Sequence, residues 1–366
     1  MTSPLVQRVL DMACDIQQIP APTFAEGARA AFVRERFAAE GLAEVEQDEI
    51  GNVFGRRPGQ SAASAPVLVT AHLDTVFPAG TPLTLVRQPG RIAGPGIGDN
   101  SLGVAGLFGL LWALGGEGLP GDLYLAANVG EEGLGDLRGM RRVCDRLGAR
   151  VRATIVLEGM ALGHIYHAGL AVRRYRLTVR TEGGHSWLHF GRPSAIHELL
   201  RLGVQVTELM LPETPKTTYN IGTINGGTSV NTIAREASFD LDLRSESTAI
   251  LDGLAGRVES LAASRQSEGV AVEAQIIGNR PAGAIPREHP LAQLAARALD
   301  ESGVPEHSFE IGSTDANVPL SRGLPCVCVG LTRGANSHRP DEYIETRDLE
   351  RGLQSLVRLV RGAYNL

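Results

Sequence analysis

Residues 66–74 read PVLVTAHLD, residues 123–132 read LYLAANVGEE, and residues 153–159 read ATIVLEG. Each is a run of Val, Leu, Ile and Ala that delivers acidic or histidine side chains at its end: His72 and Asp74, Glu131 and Glu132, and Glu158. An unbroken apolar run of about six residues is the pattern of a strand buried on both faces. In an open α/β sheet, ligands bind outside the carboxyl ends of the strands. Three such ends converge imidazole and carboxylate groups on one crevice, which is how a metal site is built.

Helical spacing of Leu, Val, Met, Ala and Phe over 4–17 and 27–39 predicts two helices before these strands, and 52–56 reads as a further strand. The glycine-rich segment 92–103 feeds an apolar helix over 101–114, for which Asn100 or Ser101 is the expected N-cap. After about residue 168 the texture changes. RRYRLTVRTEG alternates polar and apolar residues like a half-exposed strand. A helix over 193–210, strands over 217–224 and 236–244, a helix over 246–266 and a strand over 270–276 follow. That order is a split βαβ unit, ferredoxin-like, with an antiparallel sheet. A helix over 289–302 and a buried strand over 325–330 restore the first texture. The expected architecture is therefore α/β: a mixed-sheet, helix-flanked domain from 1–168 and 283–366, with an α+β domain inserted at 169–282.

Composition bounds the function. The chain has 366 residues, 43% hydrophobic and 21% charged, as in an ordinary globular protein. A net charge of −6 argues against general affinity for nucleic acid or anionic membranes. Four scattered cysteines do not make a disulfide scaffold. The N-terminus lacks a signal-peptide core, and the apolar run 104–114 is shorter than the roughly 20 residues that span a bilayer. A soluble cytoplasmic protein is expected.

Taken singly, the polar residues are ordinary. HxD can be an incidental turn, Asp99 in GIGDNS a helix cap, Glu131-Glu132 a solvated loop, and His338 in GANSHRPDEYIE an exposed loop residue. Together they make a set. Asp74 can take the second N–H of a ligating His72, and Asp99 can bridge two cations. A cation offsets the repulsion between adjacent glutamates, with Glu132 as ligand and Glu131 facing the open position as general base. Two histidines and three carboxylates can hold a pair of divalent ions about 3.5–4 Å apart. That donor mixture suits Zn, Co or Mn better than Mg or Ca.

The segments HLDT, GIGDNSLG, NVGEEG, LEG, GGHSW and NSHRPDE, in that order, resemble the successive signatures of the M20 family of dinuclear metallopeptidases and amidohydrolases. The resemblance implies that His72 and Glu158 hold one metal and Glu132 and His338 the other, with Asp99 bridging, Glu131 as general base and Asp74 as orienting carboxylate. It also implies a cis peptide after Asp99. The inserted domain becomes a lid and dimerisation domain, whose His185, in GGHSW, contacts the developing oxyanion, often across a homodimer interface. Asn231, in SVNT, and Arg244, in DLDLRS, would grip a substrate carboxylate; a structural turn and a strand-end ion pair are the plain alternatives. Asp315, in GSTDAN, supports the site or binds a substrate amine.

The reading nearest to the segments from STDAN to NSHRPDEYIE is a peptidase T-like aminopeptidase acting on di- or tripeptides. An N-acyl-amino-acid amidohydrolase of aminoacylase, desuccinylase or carboxypeptidase type is the enzymatic alternative. A non-catalytic metal-dependent binder should have lost Glu131 or a ligand, and a purely structural metal should sit in a closed site.

Overall fold

The computed structural model describes residues 3–366. They form two compact units: one runs to Gly169 and resumes over Gly283–Leu366, the other is Leu170–Ala282.

The first unit is built on a nine-stranded mixed sheet. Its centre is four parallel strands, in the spatial order Leu123–Asn128, Val67–His72, Ala153–Glu158 and Cys326–Gly330. Every residue of the first two and of the fourth is buried, which is why their sequences do not alternate. Register aligns the strand ends: His72 pairs with Asn128, and Glu158 with Gly330. The acidic and histidine residues therefore leave the sheet along one edge. Antiparallel strands Val53–Arg57 and Ala43–Gln47 extend one side, and His164–Gly169 the other.

Parallel strands need crossovers, and the helix Gly103–Leu114 is the most deeply buried. Its sequence is apolar all round because neighbours surround it: the helices Pro4–Gln17 and Leu349–Ala363, and the strand Val67–His72. Gly106 and Gly109 permit this approach, since a Cβ at either would meet Leu331, or Val9 and Leu353, within 2.8 Å. The segment Ile97–Leu114 is apolar enough in length and composition for a membrane span, but it is 83% buried within the protein. It is a core helix. The expected N-cap is corrected here. Leu102 occupies that position without a side-chain cap, because Ser101 bonds back to the Gly96 carbonyl and Asn100 is engaged by another strand.

A small antiparallel sheet joins Val86–Gln88, Arg91–Ala93, Tyr343–Glu345 and Gly334–Ala335. These strands are too short for periodicity to reveal. They bring the turn at 97–102 beside the loop at 336–342, with Ile92 opposite Ile344 and the Gly94 N–H donated to the Glu342 carbonyl.

The second unit is the expected split βαβ arrangement. Its antiparallel strands lie in the order Thr217–Gly226, Glu236–Ser245, Ala171–Thr181 and Val270–Arg280. Alternate residues of Glu236–Ser245 are buried: Ala237, Phe239, Leu241, Leu243 and Ser245. They share a core with the helices Ala195–Thr207 and Thr248–Ser264. The other face carries ion pairs, Arg176 with Asp240 and Arg180 with Glu236 and Glu273. The strand Thr217–Gly226 is an edge.

Candidate metal centre

The aligned strand ends and the two loops joined by the small sheet bring His72, Asp99, Glu131, Glu132, Glu158 and His338 together. Their donor atoms fall into overlapping groups, each within 4.8 Å: His72, Asp99 and Glu158; Asp99, Glu132 and His338; and His72, Glu131 and Glu132. Asp99 is common to the first two. Its Oδ1 lies 3.2 Å from His72 Nε2 and its Oδ2 lies 3.2 Å from His338 Nε2. Glu158 Oε2 is 3.7 Å from His72 Nε2, and Glu132 Oε1 is 3.3 Å from His338 Nε2. One carboxylate thus faces both imidazoles, and each imidazole has a second carboxylate beside it.

Imidazole with carboxylate is a donor set for borderline divalent cations, and the electrostatics agree. Burial, reinforced by the charges of Asp99 and Glu131, pushes Glu132 up to about 7. Burial also pushes Glu158 up to about 7 against the pull of His72. Asp99 is itself desolvated, yet hydrogen bonding to the two imidazoles holds it below the usual carboxylate range. Cations between these groups would offset the cost of gathering so much negative charge. These donors fit divalent cations.

Behind the donors, hydrogen bonds fix orientation. His72 Nδ1 lies 3.0 Å from the main-chain carbonyl of Asp74 and 3.5 Å from its carboxylate Oδ1. A carbonyl can only accept, so Nδ1 carries the proton and Nε2 presents its lone pair to the centre. The Asp74 carboxylate is fully buried and has other donors as well. Oδ1 accepts the Glu131 N–H and Oδ2 the Glu132 N–H, both at 2.9 Å, and Oδ2 also accepts the Thr23 hydroxyl at 2.8 Å. Asp74 therefore sets the path of the glutamate loop as well as standing beside His72.

Three supporting residues lie inside the quoted segments, but their part in the site was not read from the sequence. Glu342 is buried, and its Oε1 accepts the N–H groups of Gly98 at 2.7 Å and Asp99 at 2.9 Å. Asn100 donates to the Leu157 carbonyl and accepts the Gly159 N–H, so it grips the strand end on both sides of Glu158. Between them the Asp99–Asn100 peptide is cis, as the resemblance implies. Asn128 donates to Asp315 at 2.7 Å, and burial with the nearby charge of Glu131 pushes Asp315 up to about 8.

In the second unit, His185 pairs in a two-residue strand with Thr232, and its Nδ1 accepts the N–H groups of Trp187 and Leu188. Its Nε2 is therefore the protonated nitrogen, a hydrogen-bond donor on an exposed side chain. Asn231 is adjacent, its carbonyl accepting the Ser186 N–H. Arg244 is not brought to them. It lies near the far end of the ten-residue strand Glu236–Ser245, which spans about 30 Å. Its Nε donates to Asp242 at 2.7 Å, and Asp242 also pairs with Arg174.

The profile of peptidase family M20/M25/M40 matches residues 68–362. A peptidase M20 domain-containing protein of Schizosaccharomyces pombe is 29% identical over 317 residues, covering 84% of this chain and 71% of that one. An acetylornithine deacetylase of Shigella sonnei is 24% identical over 328 residues, covering 82% and 81%. In fold, the chain resembles a tripeptidase of Staphylococcus aureus at a TM-score of 0.81 and 19% identity, over the whole of both chains.

Glu342→Leu would leave the Gly98 and Asp99 N–H groups without their acceptor, a cost of about 1–3 kcal/mol for each buried donor. Zinc affinity, measured by competition with a chromophoric chelator, should fall by about 10–100-fold. Glu342→Gln keeps an acceptor oxygen and should bind within about threefold of the parent. Unchanged affinity in the Leu variant would remove Glu342 from this role.

Proposed function

The chain belongs to peptidase family M20/M25/M40, a family of amide-bond hydrolases, and on that footing we propose that it cleaves small peptides through a pair of divalent metal ions. The observation that carries the proposal is the Asp99 carboxylate, with one oxygen toward each of two imidazoles and Glu131 beside the same cluster. His72, Glu158 and Asp99 would hold one ion, and His338, Glu132 and Asp99 the other. Zinc is the preferred metal, with cobalt and manganese suited to the same donors.

Divalent cations bound there would supply Lewis acidity toward the scissile carbonyl and acidify a water molecule. The chain supplies the rest. Glu131 takes the water's proton and passes it to the leaving amine. Asp74 keeps Glu131 and Glu132 at their stations through the two main-chain N–H groups it accepts. His185, with Nε2 protonated, is suited to donate to the oxyanion that develops as the carbonyl is attacked.

Arg244 and Asn231 are the proposed contacts for a substrate carboxylate. Since they lie toward opposite ends of the inserted unit, two subunits are the economical way to present both to one small molecule. The edge strand Thr217–Gly226 with exposed Ile224, and exposed Leu200 and Val204 on the helix Ala195–Thr207, support a homodimer through this unit. In such a dimer His185 would contact the oxyanion across the subunit interface. Four free, buried cysteines are compatible with a cytoplasmic location.

The alternative, an N-acyl-amino-acid amidohydrolase, is favoured by the acetylornithine deacetylase among the relatives. Both reactions use the same centre and differ in what flanks the scissile amide. The deciding assay offers free-amino di- and tripeptides beside N-acetyl and N-succinyl amino acids, first metal-stripped and then with Zn, Co or Mn added. Metal-dependent cleavage of free-amino peptides is the expected result. Cleavage confined to acylated compounds would move the enzyme to the second reading, and no cleavage with two metals bound would refute both.

Glu131→Gln should retain both metals by elemental analysis and lose turnover by at least about a hundredfold; near-normal turnover would exclude Glu131 as the base. In sedimentation equilibrium the protein should run at twice the chain mass, and Val204→Glu with Ile224→Asp should yield a monomer that binds metal with little activity. A fully active monomer would refute the shared site.

A further inference from the structure

Among the described residues, six other than glycine have φ in the left-handed region: Phe24, Glu44, Asp136, Leu137, Asn336 and His338. Most of these have a local reason. Asp and Asn tolerate the conformation, and Leu137 is fully buried in a hydrophobic cluster. Glu44 lies where the register of its strand pair shifts, and His338 is a proposed ligand. Phe24 has φ 76° and its side chain is 59% exposed. A bulky residue in a costly backbone conformation, with its ring left in solvent, gains little for the fold. Such outliers concentrate where function holds them.

The surroundings of Phe24 are those of the proposed catalytic residues. The preceding Thr23 hydroxyl donates to Asp74 Oδ2. The Phe24 N–H donates to Glu26 Oε1 at 3.0 Å, and the same oxygen accepts the N–H of Gly130, the residue before Glu131. The guanidinium of Arg138 lies 4.8 Å from the centre of the Phe24 ring, and the Arg138 stem runs against Gly130, so close that a Cβ there would meet its Cγ at 2.7 Å. The strained turn is thus tied to both loops that carry catalytic groups, and the ring is propped in place by one cation. Each of those loops also exposes an apolar residue: Val76 two residues beyond Asp74, and Leu134 two beyond Glu132. An apolar rim around convergent polar groups is the usual make-up of a small-molecule site.

We infer that Phe24 is a specificity-determining residue, the platform against which an apolar substrate side chain next to the scissile amide is held. The inference rests on the hydrolase reading above and names the substrate class within it: compounds with a leucine- or phenylalanine-like side chain in preference to glycine. An aromatic ring supplies a large, rigid contact surface of this kind.

The test compares Phe24→Asn, which keeps a residue tolerant of the left-handed backbone but removes the ring, with Phe24→Leu, which keeps apolar surface. Substrates are tripeptides with Gly, Leu or Phe in the first position, together with N-acetyl-Gly, N-acetyl-Leu and N-acetyl-Phe. In Phe24→Asn, kcat/KM for the Leu and Phe substrates should fall about tenfold, with Gly substrates within about twofold of the parent. Phe24→Leu should recover part of the preference, metal content should be unchanged in both, and the melting temperature should fall in neither. An unchanged Leu-to-Gly ratio, or a loss equal across all substrates, overturns the inference while leaving the hydrolase reading standing. A parent protein that hydrolyses nothing in the panel fails at the earlier step and takes the inference with it.

Discussion

A negative charge that is expensive to bury and still has to be buried governs this molecule. Asp99 sits between two imidazoles, with Glu132 and Glu158 beyond them and the charge of Glu131 near enough to raise Glu132 and Asp315. Desolvation opposes ionisation of Asp99, Glu132, Glu158 and Asp315. The fold meets that cost with fixed donors. Main-chain N–H groups point at Asp74 and Glu342, a threonine hydroxyl at Asp74, and an asparagine amide at Asp315. The parallel sheet matters because it ends several strands at one level, and the apolar helix Gly103–Leu114 matters because the turn 97–102 that leads into it must emerge at that level with Asp99 on it. Electrostatics at the sheet edge and packing beneath it are one problem.

Much of this was legible in the chain. The buried strands could be read because unbroken runs such as VLVTAH are rare outside sheet interiors, and the polar residues that follow them therefore had a known address. The inserted unit could be read because Glu236–Ser245 alternates with a period of two and its helices have clear faces. The six residues of the centre were found by their order along the chain, since each alone is commonplace.

The remainder was hidden for identifiable reasons. Strands of two or three residues, such as Gly334–Ala335 and Arg91–Ala93, have no periodicity, so the contact that sets His338 beside Asp99 could not be derived. Glu342 reads as one more acid in a polar loop until its partners, the Gly98 and Asp99 N–H groups, are seen. Asn100 reads as a helix cap, but in the fold the helix starts later and the amide is spent on the Glu158 strand. The resemblance implies that Arg244 and Asn231 share one substrate carboxylate, but it does not show how far apart one unit holds them. A strand lies between them, and strands carry residues apart at about 3.3 Å each.

The tie between Glu342 and the Gly98–Asp99 turn spans 244 residues. Much else that touches the turn, including Asn100 and the strand bearing Glu158, is synthesised well before it, while His338 and the strand Tyr343–Glu345 arrive together with Glu342. At roughly 5–20 residues per second on the ribosome, about 10–50 s separate the emergence of Asp99 from that of the residue which fixes its main chain. The inserted unit, with a core of its own, lies wholly within that interval and can fold during it. Assembly is therefore ordered in time: the inserted unit can mature first, and the main chain at Gly98 and Asp99 is fixed only when the segment bearing Glu342 closes over it.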